Sequence, residues 1–246
     1  MGTQNKAERS ANMPLTPRLQ AVSDMVDQGQ RVADVGTDHA YVPIALVEEQ
    51  QIDFAIASDI GAGPLENARN NIESAGLEGR ILVRMGPGLS TIEPDDEINT
   101  VIIAGMGGKL ITQILTDALA SGQRFETLIL EPNINEPLVR QWLMEHRYHI
   151  IAETIVADER HTYEIIKAQV AKKIRQLSPN QLLFGPVLMT EMSPTFRDKW
   201  RSRAAYLKVL AANLGMAKES PSNLAKLTEV QQEMQQIEEL FSNDRD

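Results

Sequence analysis

The sequence of 246 residues contains no cysteine. That absence excludes a disulfide framework, a thiolate zinc site and a cysteine nucleophile. Aromatic residues are scarce, at 4%, and there are only four histidines. His39, His146, His149 and His161 form no H-E-x-x-H or related spacing, so no metal centre is expected. No G-x-S-x-G segment is present to build a nucleophilic serine elbow. No run reaches the ~18 uninterrupted apolar residues of a membrane span, so no membrane partner is expected. The opening residues, Met1 to Asn12, are polar and lack the apolar stretch of a secretion signal. They read as a disordered tail, and the expected location is the cytoplasm.

What remains is a chain with 42% apolar residues, enough to bury a substantial core. Its length suits one domain of about 170 residues plus an appendage. The net charge is -10, which by itself disfavours nucleic acid. The charge is unevenly placed, however. Residues 165 to 210 carry nine Lys/Arg against two acids, whereas the remainder is strongly acidic. A basic zone of this kind is either a solvated helix face or a phosphate-contacting surface.

The chain then reads as alternating units. Leu15 to Asp27 has the spacing of a leading helix. Arg31 to Val35, Phe54 to Ser58, Arg80 to Arg84, Thr100 to Ala104 and Thr127 to Leu130 are short apolar runs of the kind found in buried parallel strands. Helical patterns follow most of them, at Ala40 to Glu49, Gly63 to Ala75, Leu110 to Ala120 and Pro137 to His146. Tyr148 to Val156 and Thr162 to Val170 leave no room for a crossover helix, so they must pair antiparallel. Beyond Ser178, Pro179, Gly185, Pro186 and Pro194 punctuate a short connection. Thr195 to Lys218 and Ser222 to Phe241 then carry seam-spaced apolar residues, joined at Glu219-Ser220-Pro221. They read as an antiparallel helical hairpin of coiled-coil type. The expected domains are residues 13–177 and 178–246.

Five βα units closed by a β-hairpin give an α/β fold, a doubly wound seven-stranded Rossmann-like sheet with an antiparallel edge. This layout is similar to that of class I S-adenosylmethionine methyltransferases. A dinucleotide-binding domain would show G-x-G-x-x-G after the first strand, where this chain has the single glycine Gly36. In open α/β sheets ligands bind beyond the carboxyl ends of the strands. Asp34 ends the first strand and Asp59 the second. Asp59, with Ile60 beside it, can accept hydrogen bonds from both hydroxyls of a ribose. Gly36 and the following helix N-terminus, with Thr37 and Asp38 as caps, can receive the carboxylate of the cofactor's methionine end. Asp34 can hold its ammonium. Gly86-Pro87-Gly88 would lie beside the adenine. Gly105 lets backbone approach a ligand, and Met106 supplies an apolar wall. Each glycine alone is a tight turn; four such loops in order make a cofactor site.

Asp34-Val35-Gly36-Thr37-Asp38-His39-Ala40-Tyr41-Val42-Pro43, Ile103-Ala104-Gly105-Met106-Gly107-Gly108, Leu130-Glu131-Pro132-Asn133 and Tyr163-Glu164-Ile165 resemble the bacterial tRNA (adenine(22)-N1)-methyltransferase family, TrmK. The resemblance covers nearly the whole chain. It implies a class I fold, S-adenosyl-L-methionine as methyl donor, N1 of an adenine in the tRNA D-loop as target, and a coiled-coil-like C-terminal domain that helps hold tRNA. Two positions depart from the family pattern. Pro87 stands where Asp or Asn is expected, and Glu131 stands where Gln is usual, adding negative charge to a loop expected to face the substrate.

N1 of neutral adenine has a free lone pair, so no proton must leave before it attacks a sulfonium methyl. Catalysis then consists of positioning and of stabilising the cation that forms on the base. Asp38 is the candidate, either as an electrostatic partner of the exocyclic amine or as a later proton acceptor. Tyr41 and Asn133 are candidates to stack on or hydrogen-bond the target base. His39 is read as structural or cofactor-lining. The tRNA would be met by a basic zone comprising Lys172, Lys173, Arg175, Arg197, Lys199, Arg201 and Arg203. Two other readings remain: a class I methyltransferase acting on another RNA or on a small molecule, and a non-catalytic RNA- or protein-binding module. The oligomeric state is open.

Overall fold

The computed structural model describes residues 14–216 and 220–242. The expected N-terminal tail lies outside them, as does Glu219 of the expected interhelical turn. The chain divides into two compact units at Val187/Leu188.

The first unit is built on seven strands, β1 (Arg31–Val35), β2 (Phe54–Asp59), β3 (Ile81–Met85), β4 (Thr100–Gly107), β5 (Thr127–Ile134), β6 (Tyr148–Asp158) and β7 (His161–Val170). They form one sheet in the order β3-β2-β1-β4-β5-β7-β6. All neighbours run parallel except β7, which is antiparallel to β5 and β6. The reversal of direction on either side of β1 opens a crevice there, and this is where an open α/β sheet takes a ligand.

Alternation along the strands sorts side chains between two cores. Ala33, Val35, Ile56, Val101, Ile103, Leu128 and Leu130 pack on one face. There they meet Ile111 and Leu115 of α4 (Gly108–Ala120) and Val139, Trp142 and Leu143 of α5 (Glu136–Glu145). Val32, Ala55, Ala57, Ile102 and Ile129 pack on the other. Their partners come from α1 (Pro17–Asp24), α2 (Tyr41–Glu48) and α3 (Ala62–Ser74). Asp34 is two residues beyond Val32 and so belongs to the α1–α2 side.

Strands β4 and β5 continue past the residues where apolar character ends. The pair stays in register to Ala104↔Glu131, shifts at Met106↔Pro132 and resumes at Gly107↔Ile134. Gly105, with φ +77°, absorbs the shift as a bulge. The expected strand ends at Ala104 and Leu130 therefore fall short, and the loops expected there are partly paired backbone.

The expected boundary after residue 177 also lies short of the division between the units. Residues 178–187 include an unexpected helix, α6 (Pro179–Phe184), and remain with the first unit. Arg140 of α5 explains why. It is fully buried, with Nε 2.8 Å from Glu153 Oε1 and Nη2 2.5 Å from Glu164 Oε2. Its Nη1 donates to the carbonyls of Leu182 and Leu183, and Glu153 Oε2 accepts from Val187 N at 2.8 Å. Gly185, with φ +85°, passes so close that a Cβ would lie 2.7 Å from the Arg140 guanidinium.

The second unit comprises α7 (Leu188–Glu191), α8 (Pro194–Met216) and α9 (Pro221–Ser242). The last two form the expected hairpin. Phe196, Trp200 and Leu207 are buried on α8, and Val230, Ile237 and Leu240 on α9. Leu224, expected in the seam, is exposed instead. Arg203 makes a two-pronged pair with Glu233, at 2.7 and 2.8 Å.

Candidate active site

Two cavities at the carboxyl edge of the sheet both reach Gly36. The first, of about 420 Å³, is lined by Asp59, Ile60, Gly86, Pro87, Leu89 and Met106, among others. The second, of about 350 Å³, is lined by Arg18, Asp34, Thr37, Asp38, His39, Tyr41 and Gly105. Twelve of the thirteen residues expected at the site thus line one cavity or both. The exception is Asn133, which is exposed on the extension of β5 and lines neither.

Gly36 has φ +81°, and a Cβ there would overlap Met106 Cε. Only glycine lets β1 turn back beneath the Met106 thioether. The turn is fastened to β2, because the Gly36 and Thr37 amides both donate to the Ser58 carbonyl, at 2.8 and 3.0 Å. These two amides are therefore not available to a ligand carboxylate, contrary to the expectation for Gly36.

The expected caps of α2 are also displaced. The helix begins at Tyr41, after Ala40 in the left-handed region (φ 55°), and no side chain caps it. Thr37 Oγ1 instead accepts from Ala40 N at 3.1 Å, closing a turn one step earlier. This frees Asp38. Its carboxylate is largely exposed and lies 3.1 Å from His39 Nε2. The His39 ring stacks on Tyr41, with centroids 4.9 Å apart and planes 9° from parallel. Asn71 fixes the loop by donating a hydrogen bond from its Nδ2 to the His39 carbonyl.

Asp34 and Asp59 differ in environment. Asp59 is half-buried, and its Oδ1 accepts from Gly61 N at 2.6 Å. Burial pushes the Asp34 carboxyl up from 3.8 to about 6, against the lowering effect of a hydrogen bond from Thr37 and with a smaller upward push from the charge on Asp59. A buried acid in this state is poised for a cation, since a positive ligand group would restore its ordinary acidity.

Arg18, which sequence reasoning did not place at the site, lines the second cavity, and Glu131 lies behind it. Glu131 does not face a substrate loop; it is buried, and its Oε2 accepts from both Arg18 Nη1 at 2.7 Å and Gly105 N at 2.8 Å. Burial raises its pKa, while Arg18 and Gly105 pull it back. Arg18 also lies over the Tyr163 ring, 5.3 Å from its centroid. A signal for Arg18 was present, since it is the sole basic residue between Met13 and Arg31. No local pattern pairs it with an acid 113 positions away.

A sheet of this order with an antiparallel seventh strand, carrying acids at the ends of β1 and β2 around a glycine turn, defines a class I S-adenosylmethionine-dependent methyltransferase. The model of the TrmK family, tRNA (adenine(22)-N(1))-methyltransferase, matches residues 32–239. The tRNA (adenine(22)-N(1))-methyltransferase of Bacillus subtilis (strain 168) is 33% identical over 235 residues, covering 94% of this chain and 98% of that protein. The crystal structure of the B. subtilis m1A22 tRNA methyltransferase TrmK superposes with TM-score 0.83 at 32% identity, covering 93% of this chain and 99% of the other. M. capricolum TrmK, solved with S-adenosyl-homocysteine, superposes with TM-score 0.79 at 26% identity, covering 92% and 96%. The chain belongs to the TrmK family.

Proposed function

We propose that the chain methylates N1 of adenine 22 in tRNA, with S-adenosyl-L-methionine as donor. The observation that carries this reading is the family match across residues 32–239, on a chain that keeps Asp34, Asp38 and Asp59 around paired cavities.

The residues present fit the cofactor. The larger, mostly apolar cavity has Asp59 at its edge, suited to ribose hydroxyls, with Pro87 and Leu89 as flat contacts for adenine. The absence of a side chain at Pro87 able to bond adenine leaves recognition there to shape. The smaller cavity offers the buried Asp34 carboxylate to an ammonium. When bound, the cofactor supplies an electrophilic methyl on a sulfonium.

The chain's own part is to hold the target purine in line and to stabilise the charge that develops on it. N1 attacks through a lone pair already free, so no base is needed first. Positive charge then spreads over the ring and its exocyclic amine. The exposed Asp38 carboxylate, oriented by His39, strengthens its hydrogen bond to that amine as the charge grows. Tyr41, stacked with His39, offers a second ring face to the base. An adenine in a folded RNA must leave its stack to reach this pocket. Asn133 lies on the extension of β5, outside both cavities.

Lys172, Lys173 and Arg175 are exposed on the segment after β7, suited to phosphate contacts. On α8, Arg203 is engaged by Glu233 and Arg197 donates to the Met192 carbonyl, while Lys199 lies over the Trp200 ring and Arg201 over the Phe241 ring. A cytoplasmic location suits a tRNA substrate, and no described helix is long and apolar enough to cross a membrane. The test is incubation with labelled S-adenosylmethionine and unmodified tRNA, followed by nucleoside mass analysis. The expected product is 1-methyladenosine at position 22; methylation at another atom, or none, rejects the reading.

A further inference from the structure

Large apolar side chains scattered over a surface are ordinary, but several gathered at one end of a unit mark a contact surface. Among the described residues of the first unit, Ile60, Met85, Leu110, Ile134 and Leu138 are exposed and end or follow β2 to β5 in turn, at the carboxyl edge of the parallel strands. Ile60 and Leu110 line the first cavity and belong to the site already described. Ile134 and Leu138 line neither cavity, and Ile134 is 62% exposed. The placing of Ile134 is built into the sheet. β5 runs two residues past its buried stretch, and β4 stays beside it, so that Gly107 pairs with Ile134. A Cβ on Gly107 would lie 3.7 Å from Ile134 Cγ1, so the side chain rests against that backbone. At Gly108 a Cβ would lie 2.6 Å from the Asn135 carbonyl oxygen, so only glycine lets the first turn of α4 close on the end of β5. Gly105 lines the second cavity and Met106 the first. The extension of β4 thus borders both cavities, and Ile134 is its outer neighbour.

On the reading that the chain methylates adenine 22 of tRNA, we infer that Ile134 is a wedge for the RNA: it fills the gap left by the extruded adenine and covers the bared face of a neighbouring base. Leu138 extends the apolar surface, and Lys109 meets the adjoining phosphate. Extruding a base exposes the faces of its neighbours, and an apolar side chain inserted at that step offsets the lost stacking. A branched aliphatic side chain suits the task, because it offers area to cover and leaves no polar group unpaired against the base. Charge favours the same side. The β1 side of this edge carries the exposed Asp38, whereas the β4 and β5 side carries the exposed Lys109 with Glu136 half-buried. A phosphate-bearing strand is therefore received on the β4 and β5 side.

Single-turnover methylation at saturating protein tests this on three substrates: intact tRNA, and two tRNAs that lack the base on one side or the other of adenine 22. Ile134→Ser should methylate intact tRNA about 10-fold more slowly than wild type, the scale of one aliphatic side chain uncovered. Ile134→Leu keeps the apolar area and should restore the rate. On one of the two abasic tRNAs the wedge has no face to cover and the adenine is already unstacked. There wild type should react at least as fast as on intact tRNA, and Ile134→Ser should match it within about 2-fold. A side chain with a merely structural role would slow all three substrates alike. Because Ile134 is mostly exposed, Ile134→Ser should melt within about 2 °C of wild type. An unchanged rate of Ile134→Ser on intact tRNA, or an equal defect on all three substrates, overturns the wedge. So does a wild-type protein that methylates intact tRNA and neither abasic one. A change of oligomeric state in Ile134→Ser without the substrate-dependent defect overturns it as well and makes the patch a contact between copies of this chain. A wild-type protein that leaves adenine 22 of intact tRNA unmethylated overturns instead the reading on which the wedge rests.

Discussion

Replacing Asp34 with asparagine should make the ligand-free protein more stable while disabling its cofactor site. The folded protein holds the Asp34 proton up to about pH 6, whereas an exposed aspartate loses it near 3.8. Between those values the native state binds more protons than the unfolded chain, so stability falls as pH rises, and above pH 6 the full cost persists. At 1.36 kcal/mol per pH unit that cost is about 3 kcal/mol. Asparagine carries no charge to desolvate and can keep a hydrogen bond with Thr37. Thermal unfolding followed by circular dichroism should show Asp34→Asn melting about 6–12 °C above wild type at pH 7.5, given 2–4 °C per kcal/mol for a unit of this size. The difference should shrink towards zero near pH 4, where both side chains are neutral. Calorimetry on the same protein should find cofactor affinity reduced at least tenfold. In the wild type that affinity should itself fall about tenfold per pH unit below pH 6, as Asp34 takes up its proton. A variant less stable than wild type at pH 7.5, or a stability difference that ignores pH, would refute the account of Asp34 as a carboxylate buried at a cost and kept for a cation.

Other perturbations follow from the same geometry. Gly36→Ala places a methyl group into Met106 and forces alanine to a positive φ; it should cost about 1–3 kcal/mol in a melt and suppress cofactor binding by calorimetry. Arg140→Met leaves Glu153 and Glu164 buried without their cation, and urea titration at pH 7.5 should show a loss of about 3–5 kcal/mol. That loss should lessen as the pH is lowered, because burial raises the Glu153 pKa and favours its neutral form. Reversing Lys172, Lys173 and Arg175 to glutamate should weaken tRNA binding in filter assays and flatten the dependence of log K on log salt by about 2–3. An unchanged slope would remove that segment from the tRNA surface.

The elements read well from sequence where one face or both faces are apolar. β1 was placed to the residue because Arg31 to Val35 is bounded by glycine on the far side and by polar residues before. The carboxyl-edge acids were legible because strand ends, glycines and acids fall at regular intervals along the chain. What escaped was whatever depended on backbone detail or on distance. Thr37 and Asp38 both look like helix caps, and only the left-handed Ala40 decides that neither serves. The bulge at Gly105 carries β4 and β5 past their apolar limits, which composition alone cannot reveal. Residues 178–187 look like a linker from their prolines, yet Arg140, forty-odd positions earlier, binds their carbonyls. Glu131 looked like a charge added to a substrate loop because its partner Arg18 lies in the opening helix.

The bond between Arg18 and Glu131 also sets a schedule. On the ribosome the opening helix and the first four strands emerge before Glu131 does, and until then Arg18 and the Gly105 bulge have nothing to join them. A nascent chain that stops short of residue 131 holds the glycine turn with Asp34 and Asp59, yet lacks the acid that joins Arg18 to Gly105. The opening helix and the β4 bulge are therefore joined only once the fifth strand is laid down.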